Sequence, residues 1–215
     1  MKKWAIVTWK RKPNKMKVQR STYVPHFSNT LFFKNTFLLY VLLWMVTFSH
    51  AQTYGKINAL TTLLYIPNVG VETSIGKNLT FQADASVSLW QSVNGGPFQF
   101  VMLFPEVRYH FKEKFNGLYF GPHVGGSAYK LQKWNYTNTK KYQEGMSVFY
   151  GATLGYEWKV NEKFMIDIFL GGGNQQGYYK GYDGETGKRY ETIKRWNKSG
   201  EWLLYRGGVM LCYKL

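Results

Sequence analysis

The feature that most constrains this chain is a hairpin in residues 105–128, PEVRYHFKEKFNGLYFGPHVGGSA. Pro105, Val107, Tyr109 and Phe111 alternate with Glu106, Arg108 and His110, so an extended chain sends charges to one face and apolar groups to the other. Residues 112–117 form a polar turn ending in Asn116-Gly117, a strong reversal signal. Phe120, Pro122, Val124 and Ala128 then oppose Tyr119, Gly121, His123, Gly125 and Ser127. The apolar faces finish in aromatics beside the turn, which is what a membrane interface selects on an outer wall.

The same alternation recurs along the chain. Val69, Val71, Thr73 and Ile75 oppose Gly70, Glu72 and Ser74. Leu79, Phe81, Ala83, Ala85, Val87 and Leu89 oppose Gln82, Asp84, Ser86 and Ser88. Val148, Tyr150, Ala152, Leu154, Tyr156 and Trp158 oppose Thr153, Glu157 and Lys159. Phe164, Ile166, Ile168 and Leu170 oppose Asp167. The last strand carries Tyr205, Val209, Leu211, Tyr213 and Leu215 on one face and Arg206, Met210 and Cys212 on the other.

With a first strand over residues 57–66 closed by Pro67-Asn68, this makes eight strands. The turns near Lys77, Lys112 and Glu162 are short. Three of the four connections on the opposite side are long, at residues 92–97, 131–145 and 180–201, with Pro67-Asn68 the exception. Short turns on one side and long loops on the other predict an all-β fold, an eight-stranded antiparallel up-and-down transmembrane β-barrel.

The formal charge of +16 suggests nucleic-acid binding until the chain is divided. Nine of the 28 basic and none of the 12 acidic residues lie in residues 1–51, leaving 19 basic against 12 acidic residues, a net of +7. The remainder has no arginine-rich run and no nucleic-acid motif.

Residues 37–48, FLLYVLLWMVTF, are too short an apolar run to span a bilayer as a helix. Preceded by Lys34 and followed by Ser49-His50-Ala51, they read as a signal peptide with an extended basic n-region, cut after Ala51. Met16 is a second candidate start. The expected product is exported to the outer membrane as one domain over residues 52–215.

The single Cys212 excludes an intrachain disulfide, and no Cys/His pattern calls for a metal or cofactor. Inward parity gathers Glu72, Asp84, Glu106, Arg108, Glu157, Lys159, Asp167 and Arg206. In a barrel of eight strands, just wide enough to be filled by side chains, these read as a lumen ion-pair network rather than an ion path. Tyr109, Phe111, Phe120, Tyr156, Trp158, Phe164 and Tyr213 read as membrane-interface aromatics at the short-turn end. The turn register sets Glu106 opposite His123, half of a hydrolytic constellation. No serine is clearly placed at the outer rim to complete it, Ser127 and Ser86 being only candidates, so Glu106 and His123 read first as a satisfied interior pair and second as part of a barrel enzyme acting on outer-leaflet lipid.

The long loops carry Lys130, Lys133, Lys140 and Lys141, then Lys180, Lys188, Arg189, Lys194, Arg195 and Lys198, among Trp134, Tyr136 and Tyr142. Such cations and rings suit outer-membrane lipid and lipopolysaccharide phosphates or an acidic glycan. Three readings follow: a monomeric structural or surface-interaction barrel with a closed lumen, an outer-leaflet lipid-modifying enzyme, and a narrow pore.

The stretches NALTTLLYIPNVGVETSIGKN, PEVRYHFKEKFNG with LYFGPHVGG, GATLGYEWKVNEKF and the apolar last strand resemble a domain-of-unknown-function family of small bacterial outer-membrane β-barrels. The resemblance covers residues 57–215. It implies an eight-stranded barrel and, because some members are encoded near surface-fimbria genes, a fimbrial partner. It implies no activity. Arg206-x-Gly208-x-x-Leu211-x-Tyr213 is similar to the last-strand signal read by barrel-assembly machinery, though the chain runs on to Leu215.

Overall fold

The structure is a computed structural model that describes residues 52–133, 136, 139–190, 192 and 195–215. The expected leader, its cut after Ala51, and Trp134 and Lys194 of the long loops lie outside the described residues. Eight strands run in order: β1 (Thr53–Asn58), β2 (Asn68–Ser74), β3 (Leu79–Val93), β4 (Gly96–His110), β5 (Gly117–Leu131), β6 (Lys141–Lys159), β7 (Phe164–Asp183) and β8 (Asn197–Lys214). Each pairs antiparallel with the next, and β1 pairs with β8, so the sheet closes into a barrel. Closure is made by the short strands β1 and β2, which reach β8 only over residues 210–214 and β3 only over residues 80–86.

Among the described residues no helix is long and apolar enough to cross a membrane, a statement that does not bear on strands. One short helix, α1 (Ala59–Leu63), joins β1 to β2. Here the expected strand over residues 57–66 is corrected. Asn58 leaves the strand in extended conformation and its side chain accepts from the Thr61 amide, capping the helix. Tyr65, at φ 55°, then turns the chain into Pro67. The first strand therefore lies earlier, over Thr53–Asn58, and points Tyr54, Lys56 and Asn58 into the barrel, where all three are buried.

The connection lengths differ from expectation on one side. Residues 75–78, 111–116 and 160–163 are the short turns. Opposite them, residues 92–97 are not a loop: Asn94 and Gly95, both at positive φ, make a two-residue hairpin between Val93 and Gly96. Asn-Gly accepts that left-handed pair with little strain, so the strands pair right up to it. The connection from β1 to β2, over residues 59–67, is a longer one.

The register slips at two places, between Trp90 and Val93 beside the Asn94-Gly95 hairpin and between Gly171 and Gly172. A register shift between Gly171 and Gly172 sets Arg206 opposite Gly171 but Leu204 opposite Gly172, so Tyr205 is the extra residue of a β-bulge. Tyr205, placed on the outer face by simple alternation, turns inward and stacks on Phe104, with ring centroids 5.6 Å apart.

Large lumen side chains need small neighbours. A Cβ at Gly155 would fall under 3.0 Å from the Tyr119 ring, and one at Gly125 would meet Phe104 in the same way. Glycine at these two positions is the condition for burying Tyr119 and Phe104.

Candidate functional site

All eight strands contribute to one buried polar column. At its lower part, toward the short turns, Lys56 of β1 is the hub. Its Nζ donates to Glu157 Oε1 at 2.8 Å, to Asp167 Oδ2 at 2.9 Å and to Gln82 Oε1 at 3.1 Å, and it pairs with Glu72. Arg108 Nη1 reaches the same three carboxylates, Glu72 at 3.0 Å, Glu157 at 3.1 Å and Asp167 at 2.8 Å. Its guanidinium lies 4.2 Å from the centre of the Tyr119 ring, whose hydroxyl donates to Asp167 Oδ1 at 2.9 Å. His110 Nε2 contacts Glu157 Oε2 at 2.9 Å. Phe115, from the 111–116 turn, covers this end: it is fully buried and packs on Tyr54 at 4.9 Å between centroids.

Glu106 joins this group to an upper one. Its Oε1 accepts from Arg108 Nε at 2.8 Å and its Oε2 from Arg206 Nη1 at 2.6 Å. Arg206 also pairs with Asp84, which accepts from Gln82 at 3.1 Å and from Asn68 at 3.0 Å. The pairs are desolvated on both sides, so each partner depends on the other: removing one leaves a charge that neither water nor protein stabilises.

Glu106 and His123 face each other across β4 and β5, but they do not touch through a direct hydrogen bond. Thr153 stands between them, 3.1 Å from Glu106 Oε2 and 3.0 Å from His123 Nδ1. Tyr205, delivered by the bulge, is 2.7 Å from His123 Nε2. The consistent donor order runs Tyr205 hydroxyl to Nε2, Nδ1–H to Thr153, and Thr153 hydroxyl to Glu106. Both ring nitrogens are thereby engaged. Ser86, one of the two candidate nucleophiles, instead accepts from Asn68 at 2.5 Å.

Glu72, His110 and Glu157 hold ligand atoms within 4.8 Å of one another, a spacing that suits a metal ion. The counter-charge there is already supplied by Lys56 and Arg108, each bonded to both carboxylates. A divalent ion would have to displace one of these fully buried cations, so these residues fit an ion-pair network better than a metal.

A family model described as a protein of unknown function, DUF3575, matches residues 37–215. The chain belongs to the DUF3575 family. Neither curated proteins nor solved structures provide a match. The DUF3575 description carries no activity, so the chemistry of this DUF3575 barrel has to be read from its own side chains.

Of the lumen residues proposed from parity, Glu72, Asp84, Glu106, Arg108, Glu157, Asp167 and Arg206 meet in one network. Lys159 does not. It sits at the short-turn rim, partly exposed, 3.3 Å from Glu113. Strand β6 ends there, so inward parity no longer means burial. Lys56 joins the network although alternation over residues 57–66 does not include it, because β1 runs earlier, over Thr53–Asn58. Tyr54 and Lys56 alternating with Gly55 and Ile57 are the signal that locates it.

The seven aromatics Tyr109, Phe111, Phe120, Tyr156, Trp158, Phe164 and Tyr213 all lie exposed on the outer wall toward the short-turn end. Tyr109 packs edge-on against Phe111, and Phe164 against Tyr213. At the opposite rim, lysines lie over rings: Lys130 over Tyr142 at 4.9 Å, Lys180 over Trp196 at 4.6 Å and Lys198 over Tyr178 at 5.5 Å. Lys133 spans to Glu201 at 2.8 Å.

Proposed function

We propose that this protein is an outer-membrane β-barrel with a closed, charge-paired lumen, acting as a structural or surface-interaction protein through its long-loop rim. The observation that carries the reading is the inverted polarity of the wall. Leu103, Val124, Leu154, Ile168 and Leu211, from five different strands, are each more than half exposed, while Lys56, Glu72, Arg108, Glu157 and Asp167 are buried. Water favours the reverse arrangement, and a contiguous exposed apolar band of this kind suits lipid.

The aromatic ring at one end supports placing the short turns at a membrane interface, on the periplasmic side. The rim's cation–ring pairs support contact with lipopolysaccharide phosphates or an acidic glycan, because a lysine resting on a ring still presents N–H donors outward. Export by the leader, hand-over to barrel-assembly machinery through Tyr213 and the last strand, and a fimbrial partner at the rim belong to the same proposal.

The test is fractionation of cells expressing the full chain, followed by gel mobility of unheated and boiled samples. The expected result is recovery with the outer membrane and a mobility shift on boiling, as a folded barrel gives. A chain recovered in the soluble fraction without detergent would overturn the reading.

A further inference from the structure

Strand β8 has a strand neighbour on one side only over much of its length. Residues 197–206 pair with β7, whereas β1 meets β8 only over residues 210–214. On the facing bank, β2 meets β3 only over residues 80–86, and beyond them β3 pairs with β4 alone. We propose that the gap between these banks docks an extended segment of another protein, which adds to β8 as a strand and turns apolar side chains inward. The inference goes beyond the function proposed above and does not depend on where the barrel resides.

Three observations define the partner. The first is the backbone. A strand offers N–H and C=O groups to both sides in alternation, so a side without a neighbour presents a repeating row of donors and acceptors. Another extended peptide carries the complementary row at the same spacing, which is the basis of strand addition. A hydrocarbon chain would leave those groups stranded, and a glycan lacks the repeat.

The second is room. Lower in the barrel, β1 and β2 stand between β8 and β3 and set them three inter-strand spacings apart, roughly 14 Å. The α1 connection crosses the gap at its lower end. Asn58 Nδ2 donates to the Gly207 carbonyl at 3.2 Å, the Val87 N–H to the Pro67 carbonyl at 3.0 Å, and Trp90 Nε1 to the Leu64 carbonyl at 3.2 Å. Beyond that crossing no described strand takes the places of β1 and β2. A helix would fill the width, but its backbone bonds are closed within itself and leave the β8 edge unmet.

The third is the side-chain environment. A cavity of about 880 Å³ joins the two banks, with Val93 of β3 on one and Trp202 and Leu203 of β8 on the other. Pro97, Phe98 and Leu131 complete its apolar lining, and the Lys133–Glu201 pair lies at its edge. Successive residues of a strand point to opposite faces, so every second side chain of the docked segment meets this lining. Those side chains are therefore apolar.

The experiment is a fluorescence-polarisation titration of the full chain, folded in detergent micelles, with a labelled peptide of roughly eight residues alternating valine and threonine. Binding is expected to saturate and to be about tenfold or more tighter than for the same peptide N-methylated at every residue, which has no backbone donors. Equal binding of the two peptides, or no saturable binding, overturns the proposal.

A benzophenone at the centre of the peptide should crosslink within residues 87–93 or 197–206, and crosslinks confined to other segments overturn it. Leu203→Glu sets a carboxylate against the peptide's valines and should weaken binding about tenfold or more. A folded L203E variant that binds as the parent does also overturns it, and if L203E fails to fold, the crosslink map of the parent decides. Amine crosslinks joining Lys198 of two copies in the absence of peptide would place a second copy on this edge and likewise overturn it.

Discussion

Lys56 and Glu157 stand 101 residues apart in sequence and 2.8 Å apart in the barrel. The contact crosses the lumen from β1 to β6, so it exists only when the sheet has closed. The same ammonium also meets Asp167, 111 residues away. Closure and charge pairing are thus one event, and a chain whose first strand fails to dock leaves three acids facing a single arginine.

Replacing Lys56 with Met should therefore cost about 3–5 kcal/mol, the usual penalty for stranding a buried partner. Urea unfolding of the barrel reconstituted in vesicles measures it. Adding Glu157→Gln to Lys56→Met should recover part of the loss, because the orphaned carboxylate is then gone. A single variant as stable as the parent would remove the hub role.

Lys159 should behave differently. Its pair with Glu113 is exposed, so Lys159→Ala should cost under ~1 kcal/mol. Glu113 is held below its usual value of 4.5, first by the Asn116 amide and then by Lys159. A depressed carboxyl stabilises the folded state above its ordinary pKa and loses that contribution as pH falls through the lowered one. The parent should show this small loss below about pH 4.5, and the K159A variant a smaller one. Titration of the Glu113 side chain by NMR reads the shift directly.

The fold was legible wherever alternation ran uninterrupted. Strands β3 to β7 announce themselves because ten or more residues in each keep apolar and polar positions apart, and register then follows from turns such as Asn116-Gly117. What stayed hidden were breaks in that rule. Residues 59–63 read as the continuation of a strand, but the Asn58 cap and the helix-favouring Ala59, Leu60 and Leu63 make them helical. The bulge at Gly171 moves Tyr205 to the inner face, and no pattern of period 2 can reveal an inserted residue. Strand boundaries decide the other two: β1 begins early enough to bury Lys56, and β6 ends at Lys159, which stays partly exposed. Phe115 is the clearest case: a lone aromatic in a polar turn, at φ 62°, buried because the turn folds back over the lumen.

Leu154 lies on the outer wall of β6 between Phe120 of β5 and Leu170 of β7. Leu154→Arg puts a charge where the proposed lipid belt is, at a cost of about 2–4 kcal/mol near the bilayer midplane. Assembly into the membrane, followed by the boiling shift on a gel, should fall sharply. Leu154→Arg assembling as the parent does would mean that this wall does not face lipid.

His123→Ala tests the enzyme reading. Both imidazole nitrogens are engaged, with Thr153 and Tyr205, and Ser86 is occupied with Asn68. The variant should therefore leave lipid A composition unchanged while losing roughly 1–3 kcal/mol of stability, as stranded buried partners do. Tyr205→Phe should show the same pattern at smaller size. An altered lipid profile in either variant, at normal protein levels, would restore a catalytic role.

In the proposed closed lumen two layers of side chains lie one above the other, joined by His110, whose ring is 6.3 Å from that of Phe115 and whose Nε2 is 2.9 Å from Glu157. Phe115 packs on Tyr54 at the short-turn end, and above it Lys56, Arg108 and their carboxylates fill the cross-section from opposite walls. Phe115→Ala removes the first layer at a cost of about 3–5 kcal/mol, the range for emptying a buried aromatic site. The second layer remains, so planar bilayers containing either the parent or F115A should be silent. Steady conductance from the parent chain would show that the column of ion pairs opens, and with it the pore reading would replace the closed-lumen one.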